Sequence, residues 1–496
     1  MKPISIGVDL MSSNKQFEVK QSARLNNAVS KAISSAKYKA MLAASSLVVL
    51  AALAWTQSAQ AADGDVSEFK FNNGLRLIVK EDHRAPTVAH MVWYKAGSLD
   101  EFNGTTGVAH VLEHMMFKQT KTLKVGEFSK KVAGLGGRDN AFTSRDYTAY
   151  FQQIQSKHLL DMMKLEADRM SNLILSEAEF KKEIQVVMEE RRWRTDDQAQ
   201  GKLYEAFLAT AFTSNPTRNP VIGWMDDLQS MTYKDAQLWY KTWYTPQNAI
   251  VVVVGDVNPK QVQQWAAATY GKIKGHALPD RKPQREPEQE GTRRVEVRAP
   301  AENPYVIVGF KTPRLENVDK DTEPYALAVL SAVLDGYPGA RLGREMVQGS
   351  QVATQAGASY DMTGRGPSLF YLDATPTQGK TVADMEAALI AQVKKVADEG
   401  ITEAELSRVK SQLVASQVYK RDSLFGQAQE IGSTLTIGFQ VADIDKMIAK
   451  LKAVTPEQVK AVAGQYFSPE KMTVGTLYPL PIDPNAKKNR PRGLAH

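Results

Sequence analysis

His110-Val111-Leu112-Glu113-His114 is the segment whose residue types and spacing first suggest chemistry. On a helix, imidazoles at i and i+4 leave the same face and can share one cation. Glu113 lies between them in angle, placed to take a proton from an activated water without ligating the metal. The sequence has no cysteine, which excludes disulfides, thiolate metal sites and a cysteine nucleophile together. Any metal is therefore held by nitrogen and oxygen. A catalytic zinc needs a third protein ligand, with water in the fourth place, and with the remaining histidines scattered that ligand must be a carboxylate.

A helix opened by the Ser176 capping box carries two candidates, Glu183 and Glu190, two turns apart on one face. Spacing alone leaves both open, since a helix rich in Glu, Lys and Arg also shows such stripes to solvent. Glu189 points about a hundred degrees away, toward solvent or an arginine.

These residues must be positioned by a larger framework, and the chain of 496 residues is too long for one core. An internal duplication organises it. Residues 231–252 and 454–475 align without gaps at an offset of 223, each reading as a capped helix, an aromatic-x-Pro turn and a strand. A second pair of capping boxes, at Ser176 and Thr402, recurs at an offset of 226. The expectation is two copies of one α+β domain. Residues 62–275 form the first, the Pro-rich and charged stretch 276–294 a linker, 295–485 the second copy, and 486–496 a tail. Asn72-Asn73-Gly74 predicts a hairpin at the start of the first copy, and Tyr305 to Phe310 predicts the opening strand of the second. Lys157 to Leu173 predicts a helix whose methionines pack the core.

Residues 1–61 read as a secretory signal: Lys31, Lys37 and Lys39, an apolar run from Met41 to Trp55, and Ala59-Gln60-Ala61 as a small-x-small cleavage pattern. The run is too short for a transmembrane helix. Cleavage before Ala62, no membrane span afterwards, and a periplasmic or secreted address are expected. The long preamble is also compatible with a start at Met11 or Met41, or with a mitochondrial presequence. Residues 1–61 hold seven Lys/Arg and two Asp/Glu, so five of the seven net positive charges leave with them. The remaining +2, mixed with acids, is no nucleic-acid footprint.

Ala96-Gly97-Ser98-Leu99-Asp100-Glu101, the run from Gly107 to Phe117 with Thr120, and the Glu183/Glu190 helix resemble the pitrilysin/insulinase family of zinc metallopeptidases, which includes the mitochondrial processing peptidase β-subunit. The resemblance covers most of the mature chain, strongly in the first copy and generally in the second. It implies two homologous α/β-sandwich domains enclosing a cleft and one Zn2+ per chain. In this family the glutamate ligand follows the inverted motif by 76 residues, which selects Glu190, leaving Glu183 to support a ligand or the base from behind. It also implies that Asn140, Ala141 and Phe142, after the turn 134–137, belong to the edge strand that pairs with substrate peptides, although an ordinary strand after a turn reads the same way.

The second copy departs from this pattern. Val409 and Ser416 stand where Glu183 and Glu190 stand in the first, and no HxxEH occurs. Active family members often carry in that half an Arg and a Tyr seven residues apart; Val347 and Thr354 occupy those places, and Arg341 and Arg344 are followed at that spacing by Gln348 and Gln351. The expectation is an exported zinc endopeptidase without a covalent intermediate, working with a homologous partner subunit that supplies the missing pair. The competing readings are a scaffold or binding protein of the same fold, and a presequence-cleaving processing peptidase.

Overall fold

The structure, a computed structural model, describes residues 66–482. The targeting segment over 1–61, its cleavage before Ala62 and the tail 486–496 lie outside the described residues. No described helix is long and apolar enough to cross a membrane.

The predicted hairpin joins β1 (Val66–Lys70) to β2 (Arg76–Glu81) in antiparallel register, with Gly74 at φ +89°, where a side chain would be strained. With β3 (Thr87–Tyr94), β4 (Arg138–Thr143), β5 (Thr148–Gln155) and β6 (Ala249–Gly255) they form a sheet in the order β1-β2-β6-β3-β5-β4. Only β2 and β6 pair in parallel. β6 is wholly buried and apolar, as befits a strand covered on both faces. One face of this sheet carries α1 (Val108–Met115), α2 (Glu127–Gly134), α3 (Leu159–Asn172), α4 (Glu177–Arg191), α6 (Met225–Ser230), α7 (Tyr233–Trp243) and α8 (Pro259–Ala268); Met162, Met163 and Met170 pack here as expected. α5 (Ala199–Ala211) goes elsewhere.

The second half repeats the plan. β7 (Arg293–Pro300), β8 (Tyr305–Thr312), β9 (Ala353–Tyr360), β10 (Ser368–Pro376) and β11 (Met472–Leu480) take the order β7-β11-β8-β10-β9, again with one parallel pair, β7 and β11. This is the first sheet without β1. The strand at Tyr305 is therefore second in its half rather than first. β7 precedes it, its apolar alternation diluted by arginines on the solvent side. Around this sheet lie α9 (Glu323–Asp335), α10 (Val382–Glu399), α11 (Glu403–Arg421), α13 (Val441–Ala453) and α14 (Pro456–Gln465). Residues 273–292 between the halves contain no helix or strand, yet are tied down: Glu286 accepts from the backbone N–H groups of Thr213, Ser214 and Asn215 and pairs with Lys311.

What joins the halves is an exchange of equivalent helices. α12 (Leu424–Thr436) lies 225 residues after α5. It leaves its own half to cover the open face of the first sheet, setting Ala428, Ile431 and Leu435 against Met91, Trp93 and Val252. α5 does the converse, laying Leu203 and Phe207 on Ile307 and Leu477 of the second sheet. At the centre of each contact a large residue meets a glycine, with the roles transposed. Trp93 of β3 packs on Gly432 of α12, and Phe207 of α5 packs on Gly309 of β8. Trp93 and Gly309 are equivalent by register, facing Ile250 and Thr473, which stand 223 residues apart.

A Cβ at Gly432 overlaps the Trp93 indole, which is wedged edge-on by Phe142 and Tyr147 at 5.4 and 4.8 Å and cannot yield. Gly432→Ala should therefore lower stability by about 1–3 kcal/mol in denaturant titration. Adding Trp93→Gly, which copies the second sheet's arrangement, should make the cost of enlarging residue 432 smaller than in the single variant.

Candidate metal centre

Two helices converge at the site, and each is held at the end that matters. α1 begins at Gly107, whose φ of +86° and contact with Gly223 (φ +89°) bring two backbones together without side chains. Its first N–H groups are taken by the buried Glu101, whose Oε2 accepts from Gly107 at 2.7 Å and Oε1 from Ala109 at 2.9 Å. α4 is opened by Ser176, whose Oγ accepts from Glu179 N–H; this is half of the predicted capping box, since the Glu179 carboxylate pairs with Lys182 instead of returning the bond. At its far end Arg191 donates to Gly223 O at 2.9 Å and pairs with Glu205, so α4 is fastened to the loop that packs on the start of α1.

His110, His114 and Glu190 come together in the buried space between these helices. One potential donor atom from each lies within 4.8 Å of the others, and among the described residues no other group of three His, Asp or Glu does so. Glu190 Oε2 lies 3.4 Å from His114 Nε2 and 3.7 Å from His110 Nε2 without a hydrogen bond of its own. A tetrahedral zinc with bonds of about 2.0–2.1 Å separates its ligands by about 3.4 Å, so this donor set fits the ion. Glu183 accepts from His114 Nδ1 at 2.9 Å, which leaves the Nε2 lone pair facing the centre, and Lys118 in turn pairs with Glu183 at 2.5 Å. Arg194 holds the other oxygen of Glu190 at 2.7 Å.

The charges agree with a site built around a cation. Burial favours a neutral Glu190, but the His114 and His110 imidazoles and Arg194 outweigh it and hold the carboxyl at about 2. Burial likewise disfavours charged His114, yet Glu183 and Glu190 raise it to about 9. Glu113 is buried beside them without joining the triad. Burial raises its pKa, while the hydrogen bond from Thr143 Oγ1 at the end of β4 opposes the shift. A carboxyl so placed, its pKa raised by burial and its orientation set by a hydroxyl, is suited to proton transfer.

The other predicted residues divide. β4 is one of the two edges of the first sheet, so Asn140, Ala141 and Phe142 lie where an extended peptide could add. The Phe142 ring, however, turns to Trp93 and Phe151, and Asn140 Oδ1 takes the Ala141 N–H at 2.8 Å. In the second half Val409 is buried and Ser416 bonds within its own helix. Val347 packs on the core and Thr354 Oγ1 bonds Thr375 O. Arg341 is committed to Glu405 and Gly400 O, and Arg344 to Glu345. Sequence reasoning missed Thr143, Lys118, Arg194 and Glu101 as supports. Arg194 was accessible through its i,i+4 spacing from Glu190; the others depend on tertiary contacts.

Residues 76–224 match the family described as insulinase (peptidase family M16), and residues 230–413 match the domain described as the peptidase M16 inactive domain. Zinc protease PqqE of Helicobacter pylori is 36% identical over 370 residues, covering 74% of this chain and 82% of that protein. A probable mitochondrial-processing peptidase subunit beta of Arabidopsis thaliana is 24% identical over 445 residues, covering 85% and 80%. Among solved structures, a protease from Helicobacter pylori superimposes with a TM-score of 0.79 at 32% identity, over 84% of this chain and all of that one. The periplasmic protease PqqL of Escherichia coli shares the fold at a TM-score of 0.72 and 18% identity, over 85% of this chain and 49% of its own. With its two family domains in order and a relative of this identity over most of both lengths, the chain belongs to the M16, or insulinase, family of peptidases.

Proposed function

We propose that this protein is an exported zinc endopeptidase in which His110, His114 and Glu190 hold the metal and Glu113 is the general base. The observation that carries the reading is the convergence of three buried donors from two helices at the spacing of a zinc tetrahedron, with a second carboxylate, that of Glu113, beside them and outside the donor set. Zinc, when bound, supplies Lewis acidity, acidifying water and polarising the scissile carbonyl.

The chain's own residues do the rest. Glu113, aimed by Thr143, takes a proton from the attacking water and delivers it to the departing amine. Glu183 keeps His114 in the tautomer that presents Nε2, and Arg194 keeps Glu190 turned inward. Substrate binds as an added strand on β4, which favours extended peptides over any one sequence; Ala141 N–H must first be released by Asn140. The signal read at residues 1–61 directs the chain to the periplasm or beyond.

A homologous partner subunit completes the site. Val347 and Thr354 offer neither cation nor phenol, and the nearby arginines are held in ion pairs of their own half. At the level of fold, the part of this chain that superimposes covers 49% of PqqL, which accords with two such units working together.

Metal analysis of the purified chain should find about one zinc, removable by chelation with loss of peptide cleavage. Glu113→Gln should lower turnover by about 10²–10⁴-fold while zinc stays bound, whereas His110→Ala should lose the metal itself. A Glu113→Gln protein that cleaves normally overturns the assignment and favours a scaffold. Cleavage by the isolated chain should be weak and rise on adding the homologous subunit from the same source; full activity as a monomer removes the need for a partner.

A further inference from the structure

The Ala96–Glu101 run carries none of the chemistry above, yet it is built into the centre of the molecule. Ser98 and Leu99 donate their N–H groups to Ser144 O and Arg145 O at 3.2 and 3.0 Å, fixing the run to the turn that follows β4. Its last residue, Glu101, holds the start of α1. The side chain of its fifth, Asp100, is almost fully buried and receives a guanidinium from the other half of the chain. Arg365, in the loop between β9 and β10, donates to Asp100 Oδ1 at 3.0 Å and Oδ2 at 2.6 Å. The same side chain donates to Asp146 O at 2.9 Å, and its backbone N–H to Asp146 Oδ1 at 2.9 Å. Arg281 of the connecting segment pairs with Asp100 from another side at 2.6 Å.

Two lines of rigid contact therefore leave Arg365 and meet at Glu113. One runs through Asp100 and Glu101 into α1; the other runs through the 144–147 turn to Thr143, which bonds the Glu113 carboxylate. We infer that Arg365 is a positioning residue: from the half that has no metal ligands, it sets the start of the metal helix and the end of the edge strand against each other. This inference rests on the zinc reading above. A bidentate arginine suits the task because its planar fork fixes direction as well as distance, which a lysine cannot do.

Arg365→Gln and Arg365→Lys, made in the full chain together with its partner subunit, test the assignment, with folding followed by circular dichroism. Zinc affinity by chelator competition should weaken about ten-fold in Arg365→Gln, and kcat should fall by about ten-fold with KM moved less than about two-fold. Arg365→Lys should fall between. Arg294→Gln, which removes an exposed pair with Glu386 in the same half, should change neither. If Arg365→Gln is folded and matches the parent in zinc affinity and kcat, the residue only fastens the halves and the inference fails. Should Arg365→Gln not fold, Arg365→Lys is judged by the same criterion. A parent chain that takes up no zinc refutes the underlying reading instead, and is told apart by that measurement alone.

Discussion

Each sheet of this protein has two apolar faces and only enough helices of its own for one. The remaining face must be covered, because an exposed apolar sheet surface costs about 25 cal/mol for every square ångström left in water. The chain solves this by lending one helix from each half to the other. α4, which carries Glu190, runs through a π turn at Arg192–Asp196 and a two-residue break at Asp197 and Gln198 to α5, the helix that crosses to the second sheet. Glu190 is thus fixed by an anchor in the opposite half as much as by its contacts with α1.

The two copies show what a metal site demands. In the first, α1 and α4 bury His110, Glu113, His114, Glu183 and Glu190 against one another, an arrangement that is tolerable only because each charge has an opposite neighbour. In the second, α9 is apolar along nearly its whole length and Val409 replaces the supporting glutamate. With the ligands gone, nothing favours keeping charge inside: Val409 joins the core, and Ser416, at the place of Glu190, lies at the surface. The second copy keeps the scaffold and contributes through contacts such as that of Arg365.

Much of this was legible in the sequence, for identifiable reasons. Helix spacing alone put the two imidazoles together, since i and i+4 share a face whatever the tertiary fold. The repeated Thr and Ser caps gave the duplication, because capping is local chemistry. Glu190 was different: 76 residues from His114, it could be separated from Glu183 only through the family resemblance, and the coordinates place its carboxylate beside both rings. The helix exchange was invisible, as α5 and α12 carry no mark saying which sheet they cover. β7 was missed because its arginines obscure the apolar alternation, and its first two residues, Arg293 and Arg294, were counted with the linker. Thr143 and Arg365 act across the fold, and no local pattern announces them.

The transposed helices also bear on how the molecule comes into being. The first sheet is finished by residues 424–436, long after its own strands have been synthesised. Maturation therefore cannot proceed steadily from the amino terminus, and the nascent first half must wait with an apolar surface uncovered, a state that invites chaperone binding or aggregation. The ligand-bearing end of α4 gains its anchor only when α5 docks on the second sheet, whose strand β11 is made last of all, so the metal-binding geometry is a late product of folding rather than a nucleus for it.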